Sequence, residues 1–279
     1  MTSIQRALSY GQSSLEKTSP SARIDAEVIL AHILQKTRTY LYTHPETLIN
    51  ATVWQQYQDA INQRSIGHPV AHLTGSKEFW KQALRVTADT LIPRPETELL
   101  VELTLSLLGT TQEARILELG TGSGAIALAI ASERPTWSIQ AFDISEAALH
   151  VARSNAHLLN LNQIQWGQSN WFQSIPLQSF HAIISNPPYI AEEDPSTQQG
   201  DLRFEPRNAL ISGKEGLDAL TEIIKTGIHY LHPQGFLLVE HGYQQCDAVT
   251  TRFQRYGYSN LLSAKDIEGH DRVTGGFLT

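Results

Sequence analysis

From residue 96 onward the chain alternates between short apolar runs and longer segments of helical periodicity, and this alternation constrains the fold more than any other feature. Runs such as Ala182-Ile183-Ile184 and Phe236-Leu237-Leu238-Val239 show no polar alternation. A strand that is apolar on both faces must be covered on both, as in a parallel sheet flanked by helices. The pattern predicts strands at 115–119, 138–142, 163–167, 181–185, 235–240, 257–262 and 272–277. Helices are expected at 96–109, 123–133, 145–158, 215–231 and 242–255. The fold class is α/β, a doubly wound Rossmann-like sheet that binds its ligands at the carboxyl ends of its strands.

The first part of the chain is different in kind. Segments 4–16, 21–36, 39–43 and 50–66 carry apolar residues at helical spacing, as in Ala26, Ile29, Leu30, Ile33 and Leu34. They predict a small helical domain over 1–75, with Ser19-Pro20 starting the second helix and Pro in its first turn. Gly67-His68-Pro69 breaks the last helix. Residues 76–92, with Phe79, Trp80, Leu84 and Val86 among polar neighbours, predict a β-hairpin linker, which leaves 93–279 as the α/β domain.

Two glycine-loop features sit where that fold places its ligands. Glu118-Leu119-Gly120-Thr121-Gly122-Ser123-Gly124 closes the first predicted strand and opens a helix, so its backbone can approach a ligand closely. The spacing is G-x-G-x-G. A dinucleotide fold would carry G-x-G-x-x-G, and position 125 is Ala, which weakens a nicotinamide reading. Asp143 ends the next strand, where a carboxylate can accept from both hydroxyls of a ribose; alone, an Asp at a strand end is more often a helix cap. The pair points to a nucleoside-type cofactor.

The chemistry is carried by Asn186-Pro187-Pro188-Tyr189, directly after the strand at 181–185. The prolines stiffen the loop and remove two N–H donors. The Asn186 side-chain oxygen and a neighbouring carbonyl can then accept both hydrogens of an NH₂ group. An amide or aromatic amine nitrogen is a weak nucleophile because its lone pair is delocalised. Two acceptors orient it toward a methyl sulfonium and favour a partly pyramidal transition state, so catalysis is positioning plus electrostatics. Tyr189 offers a π-face for the planar group.

With these pieces together, the chain resembles the peptide chain release factor glutamine methyltransferases, the PrmC/HemK family. The resemblance runs over nearly the whole chain. It is carried by Ile92-Pro93-Arg94-Pro95-Glu96-Thr97-Glu98, the glycine loop, Asn-Pro-Pro-Tyr, Glu205-Pro206-Arg207 and Glu215-Gly216-Leu217-Asp218. Asn-Pro-Pro-Tyr by itself also resembles adenine-N6 DNA methyltransferases. The resemblance implies a class I S-adenosylmethionine-dependent methyltransferase domain, with S-adenosylhomocysteine as product. It implies that Gly120, Thr121, Gly122, Ser123, Gly124, Asp143, Trp171 and Asn186 hold the cofactor, Trp171 against its adenine. Asn186, Pro187, Pro188 and Tyr189 would hold the substrate, with Asn186, Pro187 and Tyr189 catalytic. That substrate is the glutamine of a release factor's Gly-Gly-Gln motif, methylated at N5, and the helical domain would recognise the factor. Ser169-Asn170-Trp171-Phe172 departs from the family's usual Asp at position 170, and the tail Gly275-Gly276-Phe277-Leu278-Thr279 departs from its basic ending.

Composition trims the alternatives. Among 279 residues the net charge is −7, and residues 76–279 hold 15 basic against 23 acidic residues, a poor basis for stable nucleic-acid binding. An adenine-N6 enzyme acting on DNA or RNA, or a glutamine methyltransferase of a ribosomal protein, are the alternatives. No membrane-length apolar run or secretory signal is present, so the expected location is cytoplasmic. The expected state is a monomer, since one substrate glutamine needs only one site. Cys246 has no partner for a disulfide, and no Cys or His spacing suits zinc, so no metal is expected. Arg94, Glu96 and Glu98 read as well as helix-start charges as they do as site residues. Glu205-Pro206-Arg207 reads as a salt bridge, and Glu192-Glu193-Asp194 as a solvated loop.

Overall fold

The structure, a computed structural model, describes residues 2–279. The chain forms two compact units, one holding residues up to Ser76 together with Gln198–Phe204, the other Lys77–Thr197 and Glu205–Thr279.

The first unit is helical: α1 (Ile4–Leu15), α2 (Ala22–Leu34), α3 (Arg38–Thr43), α4 (Ala51–Ser65) and α5 (Val70–Thr74). A two-residue pairing of β1 (Thr2–Ser3) with β2 (Leu48–Ile49) closes it. Side-chain oxygens of Ser3, Thr37 and Asn50 cap α1, α3 and α4 by accepting from the N–H three residues on. Pro20 lies outside α2, which begins at Ala22 with Ser21 as its cap residue. Ser19 and Ser21 instead donate to the buried Asp25 at 2.7 and 2.8 Å, which fixes the approach to the helix. Ile4, Leu15, Ile29, Leu30, Tyr57 and Ile61 form the core.

The segment 198–204 belongs to this unit through Arg64. Its guanidinium donates to Asp25 at 2.6 Å and to Asp201 at 3.0 Å, while Phe204 packs on the His68 ring with centroids 4.1 Å apart.

The second unit opens with the hairpin β3 (Ser76–Phe79) and β4 (Gln82–Arg85), then α6 (Glu98–Leu108). Glu98 accepts from the Trp80 N–H at 2.6 Å in the hairpin turn. The alternation then follows: β5 (Arg115–Leu119), α7 (Ala125–Glu133), β6 (Ser138–Asp143), α8 (Glu146–Leu158), β7 (Gln165–Gln168), β8 (Phe180–Ser185), α9 (Asp218–Gly227), β9 (Leu231–Glu240), α10 (Cys246–Arg255), β10 (Ser259–Lys265) and β11 (Asp271–Phe277). The seven strands order as β10-β11-β9-β8-β5-β6-β7, all parallel except β11. Helices cover both faces, with Ile116, Ile139, Ala182 and Leu238 in one core and Leu117, Ile183, Leu237 and Val239 in the other. This is the doubly wound sheet that the apolar runs predict.

Strand order reverses between β5 and β8, so the carboxyl ends of these strands open a crevice. Two helices start later than their periodicity suggests. Gly216, at φ +73°, turns the chain before α9. Gly242 donates to the Gln245 side chain at 2.9 Å in the turn that precedes α10. Both turns lie at the crevice end of the sheet, where the chain is shaped by the site. Among the described residues no helix is long and apolar enough to cross a membrane.

Candidate active site

A cavity of about 770 Å³ opens at the carboxyl ends of β5, β6 and β8. Seven of the eight predicted cofactor residues, Gly120, Thr121, Gly122, Ser123, Asp143, Trp171 and Asn186, line its wall, and Gly124 stands behind the lining. Gly124 is the cap residue of α7 at φ +84°, and a Cβ there would come within 3.0 to 3.2 Å of Trp166, Ala152 and Leu128. Its role is therefore to bring helix and strand together.

Asp143 (9% exposed) holds the loop in shape by accepting from the Gly122 N–H at 2.8 Å and the Ser145 N–H at 2.9 Å. It does not cap α8; Ser145 does, accepting from Ala148 at 3.2 Å. Burial raises the Asp143 pKa even against the main-chain N–H groups of Ser145, Gly122 and Ile144.

Glu118, at the end of β5, is more deeply buried. Its Oε2 accepts from Thr121 Oγ1 at 2.8 Å and from the Ala127 N–H at 3.0 Å, occupying the start of α7 where a capping side chain would normally sit. Its Oε1 is buried in the same wall with no hydrogen-bond partner among the described residues. Burial pushes the Glu118 carboxyl up to about 8, with the Asp143 charge adding to the rise.

Five carboxylates line the cavity, those of Asp89, Glu118, Asp143, Asp218 and Glu222, and among the described residues no lysine, arginine or histidine does. A pyrophosphate would meet uncompensated like charge here, and the helix N-terminus that would receive it is already taken by Glu118. A ligand bearing an amine cation and a ribose suits this wall, since the orphaned Oε1 needs a donor and Asp143 keeps further acceptor capacity. Trp171, held at φ +50°, lays its ring near Gly120, and Ser169 locks that turn by donating to the Trp171 carbonyl at 2.7 Å. Asn170 lines the cavity and is exposed.

Asn186 and Pro188 line the cavity, whereas Pro187 is buried behind them and Tyr189 turns inward. The Asn186 amide donates from Nδ2 to Thr97 Oγ1 at 3.0 Å, which directs Oδ1 away from Thr97 as a free acceptor. The Tyr189 hydroxyl donates to Glu240 Oε1 at 3.2 Å, and burial lifts its pKa well above the usual phenol range. The Tyr189 carbonyl accepts from Gln245 Nε2 at 3.0 Å, so a second acceptor for an NH₂ group must come from earlier in the tetrapeptide. A Cβ at Gly216 would collide with that same carbonyl.

Arg94 and Glu205 form an ion pair, and Glu205 Oε2 accepts from the Ile92 N–H at 2.9 Å, pinning the 92–98 segment beside the cavity. Among the described residues no cluster of His, Cys, Asp or Glu suits a metal ion.

Residues 6–75 match the PrmC N-terminal domain and residues 96–202 the methyltransferase small domain. A release factor glutamine methyltransferase of Shewanella oneidensis is 44% identical over 98% of this chain and 95% of its own length. The chain belongs to the release factor glutamine methyltransferase family. One of that name from Escherichia coli is 45% identical over 93% of this chain and 94% of its own. A solved methyltransferase from Pyrococcus furiosus superposes with a TM-score of 0.51 at 17% identity, covering 70% of this chain and 87% of that one, which shows the fold. The resemblance carried by the proline-rich segment and Asn-Pro-Pro-Tyr is borne out, and the chain is a methyltransferase.

Sequence reasoning for this family member missed Thr97, Glu240 and Gln245 as neighbours of Asn-Pro-Pro-Tyr. Glu240 left a usable signal, because an acid at the carboxyl end of an apolar strand is the same placement that singled out Asp143.

Proposed function

We propose that the chain transfers the methyl group of S-adenosylmethionine to the side-chain N5 of the glutamine in the Gly-Gly-Gln motif of a peptide chain release factor. The observation that carries this reading is the Asn186 amide, tied by Nδ2 to Thr97 so that Oδ1 is presented as an acceptor beside an acid-lined cavity. An acceptor fixed in that sense suits an NH₂ group, which has hydrogens to donate, and is mismatched to a carboxylate as nucleophile, which has none.

S-adenosylmethionine supplies a methyl group on a sulfonium, a leaving group good enough to need no further activation. This chain's residues do the holding. Asp143 accepts from the ribose hydroxyls, Glu118 Oε1 accepts from the methionyl ammonium, and Trp171 packs on the adenine. Asn186 Oδ1 and a tetrapeptide carbonyl accept the two amide hydrogens, which orients the nitrogen lone pair and stabilises the positive charge that grows on nitrogen as the methyl arrives. The S–CH₃ bond would break as the N–CH₃ bond forms, leaving S-adenosylhomocysteine as a neutral thioether, and the alkylated, now acidic nitrogen would lose its proton to solvent water.

Glu118 gives this reading a proton signature. With its carboxyl at about 8 in the ligand-free chain, it is mostly protonated at pH 7, and an ammonium at Oε1 favours the ionised form. Binding at pH 7 is expected to release close to one proton, read as a buffer-dependent enthalpy in titration calorimetry and lost in Glu118→Gln. The stability sign follows from the same shift. The folded value lies above the ordinary 4.5, so this group's contribution is complete below 4.5 and is lost as pH rises through about 8. The ligand-free chain therefore melts at lower temperature at the alkaline end of that window.

Labelled methyl transfer from S-adenosylmethionine to a bacterial-type release factor, run beside a factor with the motif Gln replaced by Ala and beside duplex DNA, tests the function. Label on the intact factor alone is the expected result; label on DNA overturns it in favour of adenine-N6 chemistry. The helical unit is proposed as a second foothold for the factor, and a KM for the factor unchanged on deletion of residues 1–75 would overturn that part.

A further inference from the structure

We propose that the β10–β11 hairpin is a docking ridge for the release factor: Ile267 at its tip, with the Tyr243 ring at its base, receives an apolar side chain of the factor near the methylated glutamine. This inference rests on the reaction and partner proposed above. Ile267 is 100% exposed and Tyr243 54%. Single apolar side chains in water are ordinary on a protein surface, so exposure alone assigns nothing. Ile267 is set apart by the frame that holds it and by where that frame stands.

The frame is built around Asp266, whose side chain is 2% exposed. Its Oδ1 accepts from the Glu268 N–H at 3.0 Å and the His270 N–H at 2.9 Å, and its Oδ2 accepts from Arg272 Nε at 3.1 Å and Nη2 at 3.0 Å. The Asp266 N–H donates to the His270 carbonyl at 2.9 Å, and the Gly269 N–H to the Asp266 carbonyl at 3.0 Å, with Gly269 at φ +84° turning the chain. A tip already fixed in the free chain loses little freedom on binding, so an apolar side chain presented from it adds more affinity than one on a loose loop.

Strand register gives the tip its place. Val273 of β11 lies opposite Glu240, the last residue of β9, so the tip residues 266–270 stand beyond the carboxyl end of β9, on the side where the cavity opens. Printed contacts run from the tip to the tetrapeptide loop. The His270 ring packs on Tyr243 with centroids 5.3 Å apart, in the turn where Gly242 donates to Gln245 Oε1 at 2.9 Å. Gln245 Nε2 in turn donates to the Tyr189 carbonyl at 3.0 Å. The hairpin and Asn-Pro-Pro-Tyr are therefore parts of one continuous surface.

The size of a protein interface then decides the occupant. β10 is three strands from β8, the strand that leads into Asn186. At about 4.8 Å per strand the ridge stands roughly 14 Å to the side of the tetrapeptide. A specifically held protein covers about 800 Å² on its partner, a patch of roughly 16 Å radius. A glutamine side chain in the cavity accounts for little of that area, so a factor seated over the cavity also covers the ridge. An apolar side chain suits the tip because the polar groups that build it are paired with one another.

The test is steady-state methyl transfer by the full chain to a bacterial-type release factor, with S-adenosylmethionine affinity and melting temperature measured for every variant. In Ile267→Asp the KM for the factor is expected to rise about tenfold, with kcat within about threefold and neither S-adenosylmethionine affinity nor melting temperature moved. Tyr243→Ala is expected to raise the same KM about fivefold, and Ile267→Leu to bring it back to within about twofold of wild type. Leu177→Asp makes the equivalent change at a 75% exposed residue before the amino end of β8 and leaves KM as in wild type. Wild type active with Ile267→Asp within about twofold in KM overturns the ridge and leaves the reaction standing. Equal rises in Ile267→Asp and Leu177→Asp reduce the effect to added charge and overturn it as well. Light scattering on the same proteins reads the rival occupant: a wild-type dimer that Ile267→Asp turns into a monomer, with KM unchanged, gives the tip to a second copy of this chain instead. Wild type inactive on the factor overturns the proposed function and this inference with it.

Discussion

Asn186→Ala lowers kcat for methyl transfer by roughly 10²–10³-fold, with a much smaller change in the affinity for S-adenosylmethionine. The amide nitrogen of glutamine must give up conjugation with its carbonyl as the new bond forms, and positive charge gathers on it. A preorganised oxygen accepting one of its hydrogens is worth most at that moment, so the loss appears in kcat and less in KM. The side chain is half-buried and bound by a single hydrogen bond to Thr97, so its removal leaves the sheet intact. Single-turnover transfer to the release factor, with the S-adenosylmethionine affinity measured separately, checks it. A loss confined to KM would mean that Asn186 only binds the glutamine.

Asp143→Ala is expected to weaken S-adenosylmethionine binding by about 10²–10⁴-fold, from two lost charge-assisted hydrogen bonds of about 1.5–3 kcal/mol each. Asp143 holds the ligand wall as well as forming part of it, because its oxygens also accept from Gly122 and Ser145. Asp143→Asn separates the roles. The amide oxygen can still accept one main-chain N–H, so the loop keeps part of its support, while the negative charge shared by the ribose hydroxyls is gone. Calorimetric titration of both variants beside their melting temperatures distinguishes the cases. Binding within about tenfold of wild type in Asp143→Ala would mean that the residue serves the loop alone.

Much of this site was legible in the chain as written, because its signals are local. The apolar runs dictated a sheet covered on both faces, and the three closely spaced glycines could only be a tight turn between strand and helix. Asp143 and Asn186 were found because each directly follows or ends a strand that composition alone identifies. Other elements were not legible for the same physical reason in reverse: their meaning comes from partners far along the chain. Thr97 meets Asn186 across 89 residues and Glu240 meets Tyr189 across 51, while Arg64 and Asp201 join across 137. The place of Glu240 at the end of an apolar strand is visible along the sequence, but its partner Tyr189 is not. The strands, their burial on both faces and the chemistry of the Asn-Pro-Pro-Tyr loop were legible in the sequence; the order of the strands in the sheet was not. Which oxygen of that loop faces the cavity was decided by the tertiary structure, because a hydrogen bond's direction depends on what lies at its other end.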